Sequence, residues 1–263
     1  MPKHNEFPIE DIDLRWLGEN FPGLNYVENK PSNISGELNF GMEYYPDKKS
    51  FDVFQFKESA KSKKNLIYDT YQIEIDLKKT AKSLWPKVFE TGKRVPREAD
   101  FHCYADGHLC LTTFLEEAVY SRDGFKLEKF ITNIVVPAFY EQSYYEKYGR
   151  WPWGEYSHGV IGLLESFSKV NKEISFYKKL DVLYKVCGSR MLDTYLNKNV
   201  NPYSILCPCG SFRNFYECHK EGFKGYLKLR EFRDDVFLNP INLQLARSYF
   251  DPTNILMIQG WRY

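Results

Sequence analysis

The chain has 263 residues, enough for one large or two smaller domains with a core that needs no disulfide. Its 36 basic and 35 acidic residues nearly cancel, which gives no general argument for binding nucleic acid or a membrane surface. No apolar run approaches the ~20 residues that span a bilayer, and residues 1–6 lack the apolar core of a signal peptide. We therefore expect a cytoplasmic protein without a membrane segment, whose partners are proteins or small molecules and not nucleic acid.

Residues 1–30 begin polar and then offer a small apolar contact around Trp16 and Leu17, which predicts a short leading segment or helix. From Ile34 onward, apolar and polar residues alternate as in a strand with one solvated face. Three further strands are predicted over 51–56, over 67–77 and at 88–89, with a lysine-rich loop from Glu58 to Asn65. These segments predict an antiparallel four-stranded meander.

The segment 101–111 follows this predicted sheet and carries a cysteine just after a turn. Asp106 and Gly107 are typical turn residues, and they would leave His102 on one side of the turn and Cys110 on the other. Such a loop can present a nucleophilic thiol, which attacks an acyl carbon only as the thiolate. The alternative is that Leu109, Cys110 and Leu111 form the buried end of a strand.

Beyond the cysteine the apolar period becomes helical, as residues 127, 130, 131 and 134 illustrate, and Pro137 predicts a kink or a break. Helices are expected to about residue 195, interrupted by an ordered loop at 149–159 that holds two tryptophans. In this loop, Glu155 and His158 offer either a proton relay near the thiol or partners for helix-end N–H groups, and the structural role is favoured. Cys187 lies on an apolar helical face and is interpreted as a core residue.

A Cys-x-Cys-x8-Cys-His motif is the most specific pattern in the chain, and it is formed by Cys207, Cys209, Cys218 and His219. Three thiolates and one imidazole can close a tetrahedral shell, which suits Zn²⁺. A closed shell has no open position, so the zinc would be structural. A chance cluster or a redox dithiol is the alternative. The basic residues that follow, between Lys220 and Arg233, are interrupted by acidic ones and are interpreted as a solvated face, and residues 236–263 as a packing segment.

Two family resemblances rest on these residues. The order of elements over about 10–165, with Pro86 before a short strand and Gly107, Leu109, Cys110 and Leu111 at the turn, resembles the ubiquitin-conjugating enzymes, and in particular their bacterial relatives. The His-Pro-Asn tripeptide of that family is missing, and His102 stands eight residues before the cysteine, where the family has its asparagine. The Cys-Pro-Cys-Gly-Ser opening and the ligand spacing resemble the SEC-C motif, which implies zinc binding by residues 207, 209, 218 and 219.

The expectation is an α+β protein with a ubiquitin-conjugating-like domain at 1–165, a helical connector at 166–200 and a zinc-binding segment with its tail at 201–263. The resemblance implies that Cys110 accepts a ubiquitin-like modifier as a thioester and passes it to an amine on a protein target, after an activating enzyme has supplied it. His102 would support the oxyanion, and the zinc motif would dock a partner. The alternative is a catalytically inactive adaptor of the same fold. A chaperone or secretion factor defined by the SEC-C motif gains little support, because that motif occurs on many unrelated chains.

Overall fold

A computed structural model describes residues 5–54, 65–80, 84–187 and 200–250. The chain is α+β, with an antiparallel sheet, helices and a Cys/His cluster towards the C-terminus. It forms two compact units: Met1–Thr112 with Tyr120–Glu155 make unit 1, and Thr113–Val119 with Tyr156–Tyr263 make unit 2. Within the described ranges, no helix is both long and apolar enough to cross a membrane.

Unit 1 holds the sheet. The helix α1 (Asp11–Asn20) comes first and is followed by strands β1 (Leu24–Val27), β2 (Asn33–Tyr45), β3 (Ser50–Phe54), β4 (Leu66–Asp76) and β5 (Lys87–Glu90). The sheet order is β1-β2-β4-β5, and β3 pairs with β2. The leading helix and the four predicted strands are therefore confirmed, whereas β1 was not predicted because its four residues carry little pattern. Most of the predicted loop Glu58 to Asn65, and Phe56 of the second predicted strand, lie outside the described residues.

The predicted meander is wrong in the placement of β3. A meander would put β3 between β2 and β4, but Gly41 of β2 is paired with Phe54 of β3 on one side and with Tyr68 of β4 on the other. The reason lies in strand length and burial. β4 is long and buries apolar side chains, so its ladder along β2 pairs many more backbone groups than the short, exposed β3 can.

A helical run from residue 127 to 148 covers one face of the sheet. It consists of α3 (Leu127–Phe130), a π-helical turn (Ile131–Val135) and α4 (Val136–Tyr148). Of the predicted kink or break at Pro137, the break is wrong, because the helix continues through this residue. A proline ring collides with the carbonyl four residues earlier, here that of Asn133, and the wider π turn accommodates this position. Phe139 of α4 packs on Tyr71 of β4, with ring centroids 4.7 Å apart.

Unit 2 is helical. It contains α5 (Gly159–Val170), α6 (Phe176–Cys187), α7 (Phe215–Cys218), α8 (Lys220–Leu238) and α9 (Pro240–Tyr249). It also contains α2 (Phe114–Tyr120), except for the last residue of that helix, which belongs to unit 1. α5 and α8 approach closely at Gly225, where a Cβ would lie 1.8 Å from the carbonyl oxygen of Leu164. Cys187 is buried in this core, as predicted.

Two interpretations of the C-terminal part need correction. Arg233 was placed on a solvated basic face, but its side chain is buried, at 2% exposure, and donates to Asp234. Leu238 and Ile241 were expected to pack, but each is 70% exposed, and it is Val236 and Ala246 that are buried. The sequence gives the helical period, but it does not specify which stripe of the helix meets the core. Residues 251–263 of the predicted packing segment lie outside the described residues.

Candidate functional site

Residues 102–110 of unit 1 form a tight reversal, the thiol hairpin. The amide of Gly107 donates to the carbonyl of Tyr104 at 2.8 Å, and the amide of Cys110 donates to the carbonyl of His102 at 2.7 Å. Gly107 has φ +92°, a conformation that side-chain-bearing residues rarely adopt. The predicted turn at Asp106 and Gly107 is confirmed, and the backbone of His102 lies directly opposite that of Cys110.

The thiol hairpin is attached to the sheet and to α4. The amide of Leu109 donates to the carbonyl of Val88 in β5 at 2.8 Å, and His108 forms a β-bridge with Phe89. From α4, the side-chain amide of Gln142 donates to the carbonyl of Phe101 at 2.8 Å. Hydrogen bonds to β5 and from α4 therefore fix the backbone at the hairpin.

The two faces of the thiol hairpin differ in burial. Successive side chains of an extended segment point to opposite faces, and Cys103 and Leu109, which form a β-bridge, are both buried. His102, Tyr104, His108 and Cys110 occupy the alternate positions and are partly or well exposed. Burial raises the pKa of the Cys103 thiol, which keeps it protonated. The core interpretation of a cysteine in this segment thus fits Cys103, whereas Cys110 is only partly buried.

Tyr104 is the side chain whose hydroxyl lies next to the Cys110 sulfur. The hydroxyl donates to Sγ at 3.7 Å, and the tyrosine ring stacks on the His108 imidazole with centroids 4.2 Å apart. Asp106 contacts Nδ1 of His108 and accepts from Lys87 Nζ at 3.1 Å. These bonds, that of His108 first, hold the pKa of Asp106 far below its usual range.

Tyr104 and His108 are not among the site residues that the sequence indicates, although the structure places them beside the thiol. Tyr104 and His108 each stand two positions from Asp106 in the sequence. Residues equally spaced from a turn pair across it, so this spacing could have identified them as neighbours. Their aromatic rings then meet on the same face as the thiol.

The imidazole of His102 contacts two residues of the loop at 149–159, which we call the tryptophan loop. Its Nε2 lies 3.4 Å from Oε1 of Glu155, and Trp151 meets its ring edge-on at 4.9 Å between centroids. Trp151 also stacks on Tyr145 of α4, so the predicted aromatic packing of this loop is confirmed. His158 precedes α5 but its side chain does not cap that helix, so the predicted capping role is wrong for this residue.

The second site is the Cys/His cluster of unit 2. The ligand atoms of Cys207, Cys209, Cys218 and His219 all lie within 4.8 Å of one another and could bind a metal ion. The sulfurs of Cys209 and Cys218 are 3.6 Å apart, and Sγ of Cys207 is 3.1 Å from Nδ1 of His219. A tetrahedral shell with metal–sulfur bonds of ~2.3 Å needs sulfurs roughly 3.8 Å apart. The donor set and the spacing both fit a closed four-ligand site.

Local backbone structure brings these ligands together. The amide of Cys207 donates to the carbonyl of Arg213 at 2.7 Å, which closes a loop around Gly210, and Cys218 and His219 stand where α7 ends and α8 begins. Cys218 Sγ accepts from the guanidinium of Arg213 at 3.1 Å. Hydrogen bonds lower the pKa of Cys209 to about 6, and the bond with Ser211 has the largest effect. Burial raises the pKa of Cys207 to about 12.

The surface next to the cluster is partly apolar. Phe212, between Cys209 and Cys218 of the cluster, is 85% exposed. A cavity of about 440 Å³ adjoins Cys209 and His219, and its other lining residues are Ser157, His158, Val160, Ile161 and Pro208.

No family model, curated protein or solved structure matches this chain. The two resemblances therefore rest on the motifs of the chain itself. The chemistry available at the thiol hairpin and at the Cys/His cluster is what remains to indicate a function.

Proposed function

We propose that the chain is a ubiquitin-conjugating-like acyl carrier that holds a ubiquitin-like modifier on Cys110 as a thioester. The observation that carries the proposal is the partly exposed Cys110 thiol, placed by a rigid hairpin on the face opposite the buried Cys103. The order of elements supports it, because a helix and an antiparallel sheet precede the thiol and helices follow it. The proposal includes a cytoplasmic location, since a reducing compartment keeps such a thiol free.

The proposed chemistry has two steps. The Cys110 thiolate attacks the carbonyl carbon of the thioester that joins the modifier to its activating enzyme, a new S–C bond forms, and the thiol of the activating enzyme leaves. In the second step an amine of the protein target attacks the same carbon, the bond to Cys110 breaks, and the amine proton passes to solvent as the amide forms. The thiolate of Cys110 is regenerated.

An oxyanion develops in both steps and needs hydrogen-bond donors. The backbone amide of Cys110 already donates to His102, so it is committed to the hairpin. Side-chain donors are therefore the better candidates, and in the proposal His102 takes the place of the missing family asparagine through a ring N–H.

For the Cys/His cluster we propose a structural Zn²⁺ held by Cys207, Cys209, Cys218 and His219, as in the SEC-C motif. Three thiolates around a divalent cation leave one net negative charge, and the guanidinium of Arg213 is placed to balance it. Bound zinc would supply folding energy and no reaction step. The exposed Phe212 and the neighbouring cavity suit docking of a protein partner.

The second candidate is a catalytically inactive adaptor with the same fold and the same zinc segment. The observation that favours it is the engagement of the His102 imidazole with Glu155 and Trp151. If that imidazole only anchors the tryptophan loop, the thiol has lost the counterpart of the family asparagine.

Incubation of the purified chain with an activating enzyme, its modifier and ATP distinguishes the two candidates. The carrier forms an adduct that a thiol reductant removes, that Cys110→Ala abolishes, and that Cys110→Ser traps as an ester stable to reductant. Cys103→Ser is the matched control and keeps the adduct. An adduct that survives Cys110→Ala contradicts the carrier. The absence of any adduct on wild type and on Cys110→Ser, while the activating enzyme is itself loaded, also contradicts the carrier and favours the adaptor.

A further inference from the structure

Tyr104 contacts the sulfur of Cys110, and the sequence motifs assign no role to this residue. Its hydroxyl donates to the Cys110 sulfur at 3.7 Å, and the residue is 50% exposed. Core packing explains why a tyrosine stands at a buried position. It does not explain Tyr104, because half of this residue is exposed to solvent.

Three side chains keep this tyrosine in place. The His108 ring lies parallel to the tyrosine ring, at an interplanar angle of 15°. Asp106 contacts the Nδ1 atom of His108, and Lys87 of β5 donates to the same carboxylate. The ring stack is thus joined through charged groups to the edge of the sheet, which restricts where the hydroxyl can point.

We propose that Tyr104 is a catalytic residue whose hydroxyl donates to the Cys110 sulfur and stabilises negative charge on it as it attacks, and that His108 is a positioning residue acting through Tyr104. The donor is chemically suited to this role, because a hydrogen bond to a charged acceptor is stronger than one to a neutral acceptor. The same bond would stabilise the sulfur as the leaving group when an amine attacks the thioester. That last role rests on the proposed function, whereas the effect on thiol reactivity does not.

The test measures alkylation of Cys110 by iodoacetamide, followed by mass spectrometry of the peptide that contains it, from pH 6 to pH 9, below the range in which a tyrosine loses its own proton. Tyr104→Phe keeps the ring and removes only the donor. We expect its alkylation rate near pH 7 to fall about 3- to 10-fold, because the charge on the attacking sulfur loses a hydrogen bond, and the difference between the two proteins to shrink towards pH 9. A tyrosine that merely covers the sulfur would leave Tyr104→Phe with wild-type rates at every pH, and that result would overturn the proposal.

The positioning role is tested by a double-mutant cycle. His108→Ala should slow the reaction near pH 7, but should add no further loss in the Tyr104→Phe background, because its effect runs through the missing hydroxyl. Additive losses would show that His108 acts separately and would contradict its role. Asp106→Asn is a second variant that keeps both rings and should reproduce part of the loss. An unreactive Cys103 reports in every variant that the hairpin is intact.

This assay needs neither modifier nor activating enzyme, so its outcome is separate from that of the charging experiment. A changed pH profile together with failed charging supports the role of Tyr104 and refutes the carrier. Successful charging with an unchanged profile does the reverse.

Discussion

Gly107 occupies a position of the thiol hairpin where the backbone itself restricts the residue. Its φ is +92°, and a Cβ built there would lie 3.1 Å from the guanidinium of Arg97. We expect Gly107→Ala to lower the free energy of unfolding by about 1–2 kcal/mol and to slow Cys110 alkylation, because the hairpin must shift. Urea unfolding and the alkylation rate measure the two effects.

Gly124→Ala is a matched control for this prediction. Gly124 has φ +85°, but a Cβ there would meet nothing within 4 Å. It should carry a similar backbone cost and leave the thiol unaffected. Equal effects of the two variants on alkylation would contradict the claim that Gly107 positions Cys110.

Asp69 of β4 gives unit 1 a pH-dependent stability. Burial alone would raise the pKa of this carboxyl, but hydrogen bonds from Arg94 and Ser143 outweigh burial and leave the pKa below its usual range. A carboxylate whose folded pKa is lowered stabilises fully above the unfolded pKa, and this stability is lost as the pH falls through the folded pKa. Asp69→Asn should therefore cost about 1–3 kcal/mol near pH 7.

The difference in urea midpoint between wild type and Asp69→Asn, followed from pH 7 to pH 3, checks this prediction. It should be constant down to about pH 4–5, near the unfolded pKa, and shrink below it. Asp47→Asn, in the exposed turn between β2 and β3, is the control and should show little difference at any pH. A gap for Asp69→Asn that persists unchanged at pH 3 would contradict the sign of the effect.

The loop of the Cys/His cluster, residues 207–219, contains an arginine that contacts one of its thiols. Arg213 donates to the Cys218 sulfur, and its charge opposes that of the thiolates. We expect Arg213→Gln to weaken zinc affinity about 10-fold, within the usual range for groups that contact a metal ligand. Competition with a chromophoric chelator measures the affinity. Arg247→Gln, on the exposed side of α9, should bind zinc like wild type, and an unchanged affinity for Arg213→Gln would refute the charge argument.

The elements also show how far the sequence determines the fold. Alternation in β2 and β4, and the ligand spacing from Cys207 to His219, depend on residues close in sequence, and the structure places these elements where they were predicted. The position of β3 beside β2 depends instead on which strands pair with β2, and these strands are distant in sequence. A local sequence pattern carries no information about that choice. In the same way, the ring stack of Tyr104 on His108 follows from the register of the hairpin, which is visible only after the turn is fixed.

The two candidate sites belong to different compact units of the molecule. All four candidate metal ligands lie in unit 2, where Cys207 and Phe215 belong to the same buried cluster, and Cys110 lies in unit 1. We expect chelation of zinc to increase amide exchange in α7 and the first turns of α8 about tenfold or more. Exchange in β2 and β4 should not change. Hydrogen exchange with mass spectrometry resolves the segments, and equal loss of protection in the sheet would contradict a purely local role for the metal.

In the proposed function, Cys110 alone among the described thiols serves as an acyl acceptor. The most direct test is exchange of the zinc-loaded chain with a small glycyl thioester, followed by peptide mapping of the acylated sulfur. We expect acylation of the peptide that contains Cys110, with the buried Cys103 and Cys187 unmodified, and loss of the product in Cys110→Ala. Acylation spread evenly over the cysteines, or found on the chain while Cys110 stays a free thiol, would contradict it.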